Sequence, residues 1–376
     1  MPSRRPTRSR SAVVHDWFAV AGGSELCAIE FAKLLPEATV FTSFFNAERY
    51  GSDIDPRRVH TWPIQRLTGP TDRFRSFLPL YPIYFGGLDL RDRDLVISSS
   101  SAFAKAVRTR RGALHISYVY TPMRYAWDLD SYLARSSYSR WTRAATRLIQ
   151  PALRRWDLAT SGRPDIVVAI SEEVRGRIKR FWGRESEVIY PPVDVSRIPL
   201  GTADDGFLLI AARTLAYRRV DMAVEAATHL GRELMVVGEG PEDARLRRLA
   251  GPTVHFLGRV DRPRLLDLFG RCHAYLVPGV EDFGIAPVEA MAAGKPVVAL
   301  RAGGPAETVV DGVTGVHFER QTTDELVKAI VRLDTLTFDP SAIRSWAERF
   351  DVEVFRRSWR DLLARSGVDP SLYSPE

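Results

Sequence analysis

The nine residues Glu281-Asp282-Phe283-Gly284-Ile285-Ala286-Pro287-Val288-Glu289 decide how this chain is read. They follow a short apolar run, Ala274–Val277, and open a stretch, 285–293, whose apolar spacing is helical. A strand, a loop and a helix in that order place Glu281 in the loop and Glu289 about one turn inside the helix. Gly284 has no Cβ, so the backbone there can come close to a ligand. The amides of Gly284, Ile285 and Ala286 stand at a helix N-terminus, where they lack intrahelical partners and the helix dipole favours anions. Carboxylates accept from hydroxyls while these amides donate to oxyanions, a combination that suits a polyol carrying a diphosphate.

Outward from this junction, the second half alternates regularly. Apolar runs at 207–212, 234–237, 254–257, 274–277, 297–300 and 316–318 are separated by helical patterns at 219–229, 241–249, 262–269, 285–293 and 323–333. Strands spaced by helices predict a parallel sheet covered on both faces. Ligands of such sheets sit beyond the carboxyl ends of the strands. The first of these exits carries Arg213 and, five residues on, Arg218 followed by Arg219. Two guanidinium forks at one helix entry can each bind phosphate oxygens in a bidentate way. Gly238-Glu239-Gly240-Pro241 is a tight glycine turn that permits close backbone approach. No Asp-x-Asp element stands at a convincing strand exit, so a diphosphate charge falls to the arginines and the amides. Neither a metal nor another cofactor is expected.

The first half is less regular. Strands are expected at Ala12–Val14, Thr39–Thr42, 94–98, 116–120 and 166–170, with a helix over 25–35 behind the loop that holds Gly22 and Gly23. Residues 51–90, rich in proline and aromatic side chains, show no period. Pro191, Pro192, Pro199, Gly201 and the Asp204-Asp205-Gly206 turn mark a linker. Near the C-terminus, Val354, Phe355, Trp359, Leu362 and Leu363 have the spacing of a helix.

The 376 residues exceed what one hydrophobic core usually supports, and 45% apolar with 26% charged residues is ordinary for a globular chain. The first ten residues hold four Arg, and the apolar run behind them is broken by His15 and Asp16, so a signal peptide and a membrane span are not expected. Cys27 and Cys272 lack metal-ligand spacing and read as buried thiols of a reducing compartment. A cytoplasmic protein is the expectation. The net charge of +7 is uneven: residues 134–163 hold seven Arg and one acid, Asp157. Arg140, Arg143, Arg147 and Arg154 recur at helical spacing among Trp141, Leu148 and Ile149, which describes either a solvated helix face or a basic amphipathic surface for anionic lipid on the inner membrane face. No nucleic-acid-binding motif accompanies the charge.

These motifs, with Ala302-Gly303-Gly304-Pro305-Ala306-Glu307 and Gly312-Val313-Thr314-Gly315, resemble the retaining glycosyltransferase family four. The resemblance runs from about residue 165 to 330. In the first half, His15-Asp16-Trp17, Gly22-Gly23 and Thr121-Pro122-Met123-Arg124-Tyr125-Ala126-Trp127-Asp128 resemble its mannosyltransferase-like subgroup. The resemblance implies an α/β, GT-B architecture: two Rossmann-like doubly wound domains facing a central cleft. Residues 1–198 would form the acceptor-side domain, 199–353 the donor-binding domain, and 354–376 a helix that crosses back to the first. Arg213, Arg218 and Glu281 would be catalytic, the arginines on the leaving diphosphate and Glu281 on the hexose. Glu289 would bind the ribose hydroxyls, and Gly284, Ile285 and Ala286 would contact the sugar. Val260 would offer its backbone to the base, and Gly22 and Gly23 would cover the diphosphate. Tyr120, Arg124 and Asp128 would lie on the acceptor side. Tyr120 departs from the subgroup, which has His at that position, and a phenol with an ordinary pKa near ~10 is a poorer proton acceptor. The implied reaction is metal-independent transfer of a hexose, mannose from GDP-mannose before other donors, to a glycan or lipid-linked acceptor in polysaccharide biosynthesis. A nucleotide-sugar epimerase or isomerase on the same fold and a non-catalytic sugar-nucleotide-binding protein are the competing readings.

Overall fold

A computed structural model describes residues 10–19, 22–69, 72–129, 140–201 and 203–374. The chain forms two compact units, one from residues 1–128, 147–190 and 355–376, the other from 129–146 and 191–354.

The first unit is built on a seven-stranded parallel sheet in the order β3-β2-β1-β4-β5-β6-β7. Its strands are β1 (Ser11–His15), β2 (Thr39–Thr42), β3 (Val59–Thr61), β4 (Leu95–Ser100), β5 (Leu114–Val119), β6 (Ile166–Ala169) and β7 (Glu187–Val188). Every residue of β1 and β4 is buried, as expected for central strands covered on both faces. The strand expected at 94–98 runs two residues further: Ser98, Ser99 and Ser100 pair with Ser117, Tyr118 and Val119. Two strands had no sequence signal, the edge strand β3 within 51–90 and the two-residue β7. The chain runs from β1 to β2 on one side and returns to β4 on the other, so the switch point of this sheet lies beyond His15 and Ser100.

Helices of this unit include α1 (Gly23–Leu34), α2 (Tyr81–Gly87), α3 (Arg124–Trp127), α4 (Arg140–Ser161, in this unit from residue 147) and α5 (Glu172–Trp182). Ser171 caps α5 by accepting from the Val174 amide, and Gly183 ends it in the left-handed conformation. The C-terminal helix, Val352–Arg365, supplies Phe355 and Trp359 to the aromatic core of this unit. The Trp359 ring meets Phe31 of α1 edge-on at 4.6 Å and Tyr118 of β5 at 5.6 Å.

The second unit carries a six-stranded parallel sheet ordered β10-β9-β8-β11-β12-β13. Its strands are β8 (Leu208–Ala211), β9 (Leu234–Val237), β10 (Val254–Gly258), β11 (Ala274–Val277), β12 (Val297–Leu300) and β13 (Gly315–Phe318). Between them run α6 (Val220–Leu230), α7 (Asp243–Leu249), α8 (Arg262–Arg271) and α9 (Ile285–Ala292), followed by α10 (Thr323–Asp334) and α11 (Pro340–Ala347). Leu208, Ile210, Leu276 and Val298 of the sheet pack with Ala223, Ala227, Leu326 and Ile330 of the helices, all essentially without solvent contact. Full burial of each larger aliphatic side chain contributes about 1.5–3 kcal/mol. Arg344 of α11 fastens the linker to this unit by donating to the carbonyls of Val195, Ile198 and Ala292. The switch point here lies between β8 and β11, which aims attention at the loops after those two strands.

Among the described residues no helix is long and apolar enough to cross a membrane. Cys27 and Cys272 are buried free thiols, and burial pushes Cys272 up to about 12. In the basic stretch, residues 134–139 and the side chains of Arg140, Trp141 and Arg143 lie outside the described residues.

Candidate active site

In the second unit, the Tyr275 hydroxyl fixes the end of β8 by donating to the Ala211 carbonyl at 3.0 Å and accepting from its amide at 3.2 Å. The glycine turn after β9 then packs backbone to backbone on the β8 exit. A Cβ at Gly238 would fall 2.1 Å from the Ala212 carbonyl oxygen, and one at Gly240 would fall 2.6 Å from that of Thr214. The turn therefore shapes the exit loop. Beyond it a short 3₁₀ turn, Ala216–Arg218, leads into Arg219, whose φ of 52° is left-handed. A side-chain-bearing residue rarely accepts that conformation without surrounding constraint.

The consequence is the placement of Arg218. Its guanidinium forms an ion pair with Glu281. Gly279 permits the approach, because a Cβ there would lie 2.5 Å from the Tyr217 carbonyl oxygen and 2.8 Å from Arg218 Cα. Burial alone would lower the Arg218 pKa, and Glu281, with Tyr217 and Tyr275, more than offsets it, so the guanidinium stays charged. The Arg218 Nε is buried and donates to no acceptor among the described residues. An unmet buried donor costs about 1–3 kcal/mol, which an incoming oxygen would relieve.

The loop 281–284 is held from below by the exit of β12. Glu281 and Gly303 form an isolated parallel bridge, and the Gly304 amide donates to the Glu281 carbonyl at 2.9 Å. A Cβ on Gly303 would sit 2.2 Å from that carbonyl oxygen, and one on Gly304 2.2 Å from Phe283 Cα. This explains the two adjacent glycines: the β12 exit loop supports the β11 exit loop from beneath. Gly284, at φ 91°, starts α9 without a side-chain cap, and the Glu281 carboxylate lies beside it. Glu281 and the first-turn amides of Ile285 and Ala286 thus share one mouth. Glu289 follows on the second turn of α9, where it is buried and accepts from Arg262 Nη1 at 2.7 Å. Burial raises its carboxyl and Arg262 pulls it back. Val260 is half-buried between β10 and α8, and Arg213 is exposed two residues past β8. Direct pairing is observed for Arg218 with Glu281 and for Arg262 with Glu289.

In the first unit the switch point is rigidly wired. Asp16 accepts from the amides of Ser101, Ala102, Phe103 and Ala104, which anchors the β4 exit to that of β1. The Tyr120 hydroxyl lies 2.9 Å from the Ser24 carbonyl oxygen and 2.7 Å from Ser99 Oγ. A carbonyl only accepts, so Tyr120 donates to Ser24 and accepts from Ser99. Ser99 in turn accepts from His15 Nδ1 at 2.9 Å. His15 is then the neutral Nδ1–H tautomer, in keeping with a pKa lowered by burial to about 4. The phenol at the departing position is committed as a donor to the first turn of α1, and burial raises its pKa well above the ordinary value. Gly22 is exposed at the start of α1, with Gly23 beside it; a Cβ on Gly22 would lie 2.8 Å from the Glu25 carboxylate. Arg124 opens α3 and Asp128 follows it, both half-buried. His115 is buried on β5 against Ser98 Oγ at 2.8 Å, away from the strand exits.

Three residues escaped the sequence reading. Arg262 pairs with Glu289 across 27 positions, which no local pattern announces. Glu25, in the first turn of α1, and Gly279, two residues past β11, likewise carry no local signal.

The family model described as "Glycosyltransferase Family 4" matches residues 21–197, and that described as "Glycosyl transferases group 1" matches residues 196–337. The chain belongs to the family-four-like GT-B glycosyltransferases. It is 30% identical over 212 residues to a glycogen synthase of Mycobacterium tuberculosis, covering 51% of this chain and 50% of that protein. It is 28% identical over 201 residues to a GDP-mannose-dependent monoacylated alpha-(1-6)-phosphatidylinositol monomannoside mannosyltransferase of Corynebacterium glutamicum, covering 45% and 52%. The matches thus span about half the length of these curated relatives. Among solved structures, HepE of Anabaena, crystallised with UDP and glucose, superposes with a TM-score of 0.71 over 95% of this chain and 99% of that one, at 20% identity.

Proposed function

We propose that this chain transfers a hexose, with retention and without a required metal, from a nucleotide-diphosphate sugar to a glycan or lipid-linked acceptor. The observation that carries the reading is the Arg218–Glu281 pair at the mouth of α9, with an Arg218 Nε that has no acceptor among the described residues and Glu289 one turn deeper. Arg218 and the exposed Arg213 would face the diphosphate, Glu281 and the first-turn amides of α9 the sugar, and Glu289 the ribose. Val260 would meet the base. In the transfer, an acceptor hydroxyl attacks the anomeric carbon from the face the diphosphate leaves. The carbon–oxygen bond to the diphosphate breaks, and that leaving group takes the hydroxyl proton. Preorganised donors on the departing charge are the main catalytic term in such a scheme. GDP-mannose is the preferred donor, supported by the first-half motifs and by the mannosyltransferase relative.

The test has two arms. In a thermal-shift series, GDP should raise the melting point more than UDP; at 100 times its dissociation constant a ligand stabilises by about 2.7 kcal/mol. Preference for UDP would move the donor to UDP-glucose or another UDP-sugar. With the donor fixed, Arg213→Ala should cut turnover by roughly 10²–10³-fold while the chain stays folded, and chelator should leave the rate unchanged. A near-normal rate in that variant, or magnesium-restored activity after chelation, would contradict the scheme. Sugar interconversion without any acceptor would favour the epimerase reading instead.

A further inference from the structure

The ion pair between Arg262 and Glu289 has no part in the scheme above. We propose that Arg262 is a positioning residue for the nucleotide: it holds one oxygen of Glu289 so that the other, still charged, meets the ribose hydroxyls. This rests on reading Glu289 as the ribose-binding carboxylate.

The local sequence fixes where Arg262 comes from. Gly258, at φ 65°, ends β10 with a shift of register. Asp261 caps α8 by accepting from the Arg264 amide at 2.9 Å. Arg262 is therefore the first residue of α8, two positions past Val260, and its guanidinium reaches Oε1 of Glu289 at 2.7 Å. The carboxylate is buried on α9, while about half of the arginine side chain is open to solvent. A solvent-facing cation on a buried anion leaves Oε2 as the acceptor not taken by the pair.

A pair of ribose hydroxyls needs an acceptor. A protonated carboxyl presents a hydroxyl and loses one of its acceptor oxygens. Burial pushes Glu289 toward that protonated form, and the Arg262 charge opposes it. The other groups around α9 are engaged elsewhere. Tyr275 on β11 is tied to Ala211, Arg218 is paired with Glu281, and the Arg344 guanidinium of α11 is bonded to carbonyls. Removing Arg262 should therefore weaken nucleotide binding mainly at low pH, where Glu289 would take up a proton.

Calorimetric titration of the full chain with GDP and with UDP at pH 6 and pH 8 tests this, using Arg262→Ala and Arg262→Lys. Each affinity is read as a ratio to the unaltered chain at the same pH, which cancels titration of the nucleotide's own phosphate. For Arg262→Ala the ratio should be worse at pH 6 than at pH 8, because burial without the Arg262 charge favours the protonated carboxyl, and Arg262→Lys should restore most of it. Unchanged melting points in nucleotide-free buffer would establish that both variants fold. A loss of equal size at both pH values overturns the proposal, and so does tighter binding by Arg262→Ala, which would make Arg262 a plug in the ribose site. If the unaltered chain binds neither nucleotide, the ribose assignment itself falls and takes this inference with it.

Discussion

Glu25 sits in the first turn of α1 with its carboxyl buried, and burial lifts it from 4.5 to about 7. The Ser24 hydroxyl pulls it down and the neighbouring Asp16 lifts it further. Its folded value lies above its unfolded one, so the stability it contributes is complete below about 4.5 and is lost as pH rises through 7. The difference is worth roughly 3 kcal/mol at ~1.4 kcal/mol per unit. His15 works in the opposite sense. Its value is lowered to about 4, so its contribution is present above the unfolded value of 6.5 and is lost as pH falls through 4. The two slopes oppose one another in the intact chain, and only a difference measurement separates them. Glu25→Gln should melt several degrees above the unaltered chain at pH 8 and close to it at pH 4.5, as followed by calorimetry; parallel pH curves would show that Glu25 titrates normally. The same residue-level wiring constrains Tyr120. A phenol that donates to the Ser24 carbonyl positions the start of α1, and it is poorly placed to take a proton.

Asp157 shows how a single side chain organises several elements. It was the lone acid of the basic stretch, which suggested a surface helix, yet it is fully buried on α4. Oδ1 accepts from Lys105 at 2.6 Å, and Oδ2 accepts from Trp127 at the end of α3 at 2.6 Å and from Trp182 of α5 at 2.7 Å. Lys105 also donates to the Ala102 carbonyl and lies about 5 Å from the rings of Trp156 and Trp182. Taking one partner from a buried pair strands the other charge, at a cost of about 3–5 kcal/mol. Asp157→Ala should lose that much stability in urea denaturation, and a loss below 1 kcal/mol would mean that Lys105 finds water or another carboxylate. Legibility from sequence followed the same physics. β9, β11 and β12 were read to the residue, because strands buried on both faces are continuous apolar runs bounded by turns. β3 and the 3₁₀ turn at 72–80 escaped because a half-exposed edge strand and a short tight helix impose no period. The loop 281–289 was visible as a local strand–helix junction. Its supports were not: Gly279, Gly303 and Gly304 act through backbone approach across the fold, and Arg262 and Asp157 find their partners only after the chain has folded.

At the scale of the whole molecule, the net charge of +7 is unevenly distributed. On the described part of α4, Arg147, Arg154 and Arg155 are exposed together with Leu148, which keeps 82% of its surface in solvent, and Ile149. Arg154 also donates to the Ala126 carbonyl at 2.6 Å, which ties the helix to the segment before Asp128. A lipid-linked acceptor would be met at such a surface, since basic side chains near an anionic membrane gain about 1 kcal/mol each and exposed leucine adds an apolar anchor. The two contributions respond differently to salt. Screening shortens electrostatic reach to ~10 Å at 0.1 M and to ~3 Å at 1 M, whereas burial of an apolar side chain is not weakened in that way. The full chain should sediment with phosphatidylglycerol vesicles at low salt, stay in the supernatant with phosphatidylcholine vesicles, and be released progressively by added salt. Leu148→Ser should weaken sedimentation even at low salt, because it removes the insertion and leaves every charge in place. Full sedimentation of that variant would reduce the contact to charge alone. Absence of binding by the unaltered chain at low salt would sink the membrane-face acceptor and direct the search to soluble glycans.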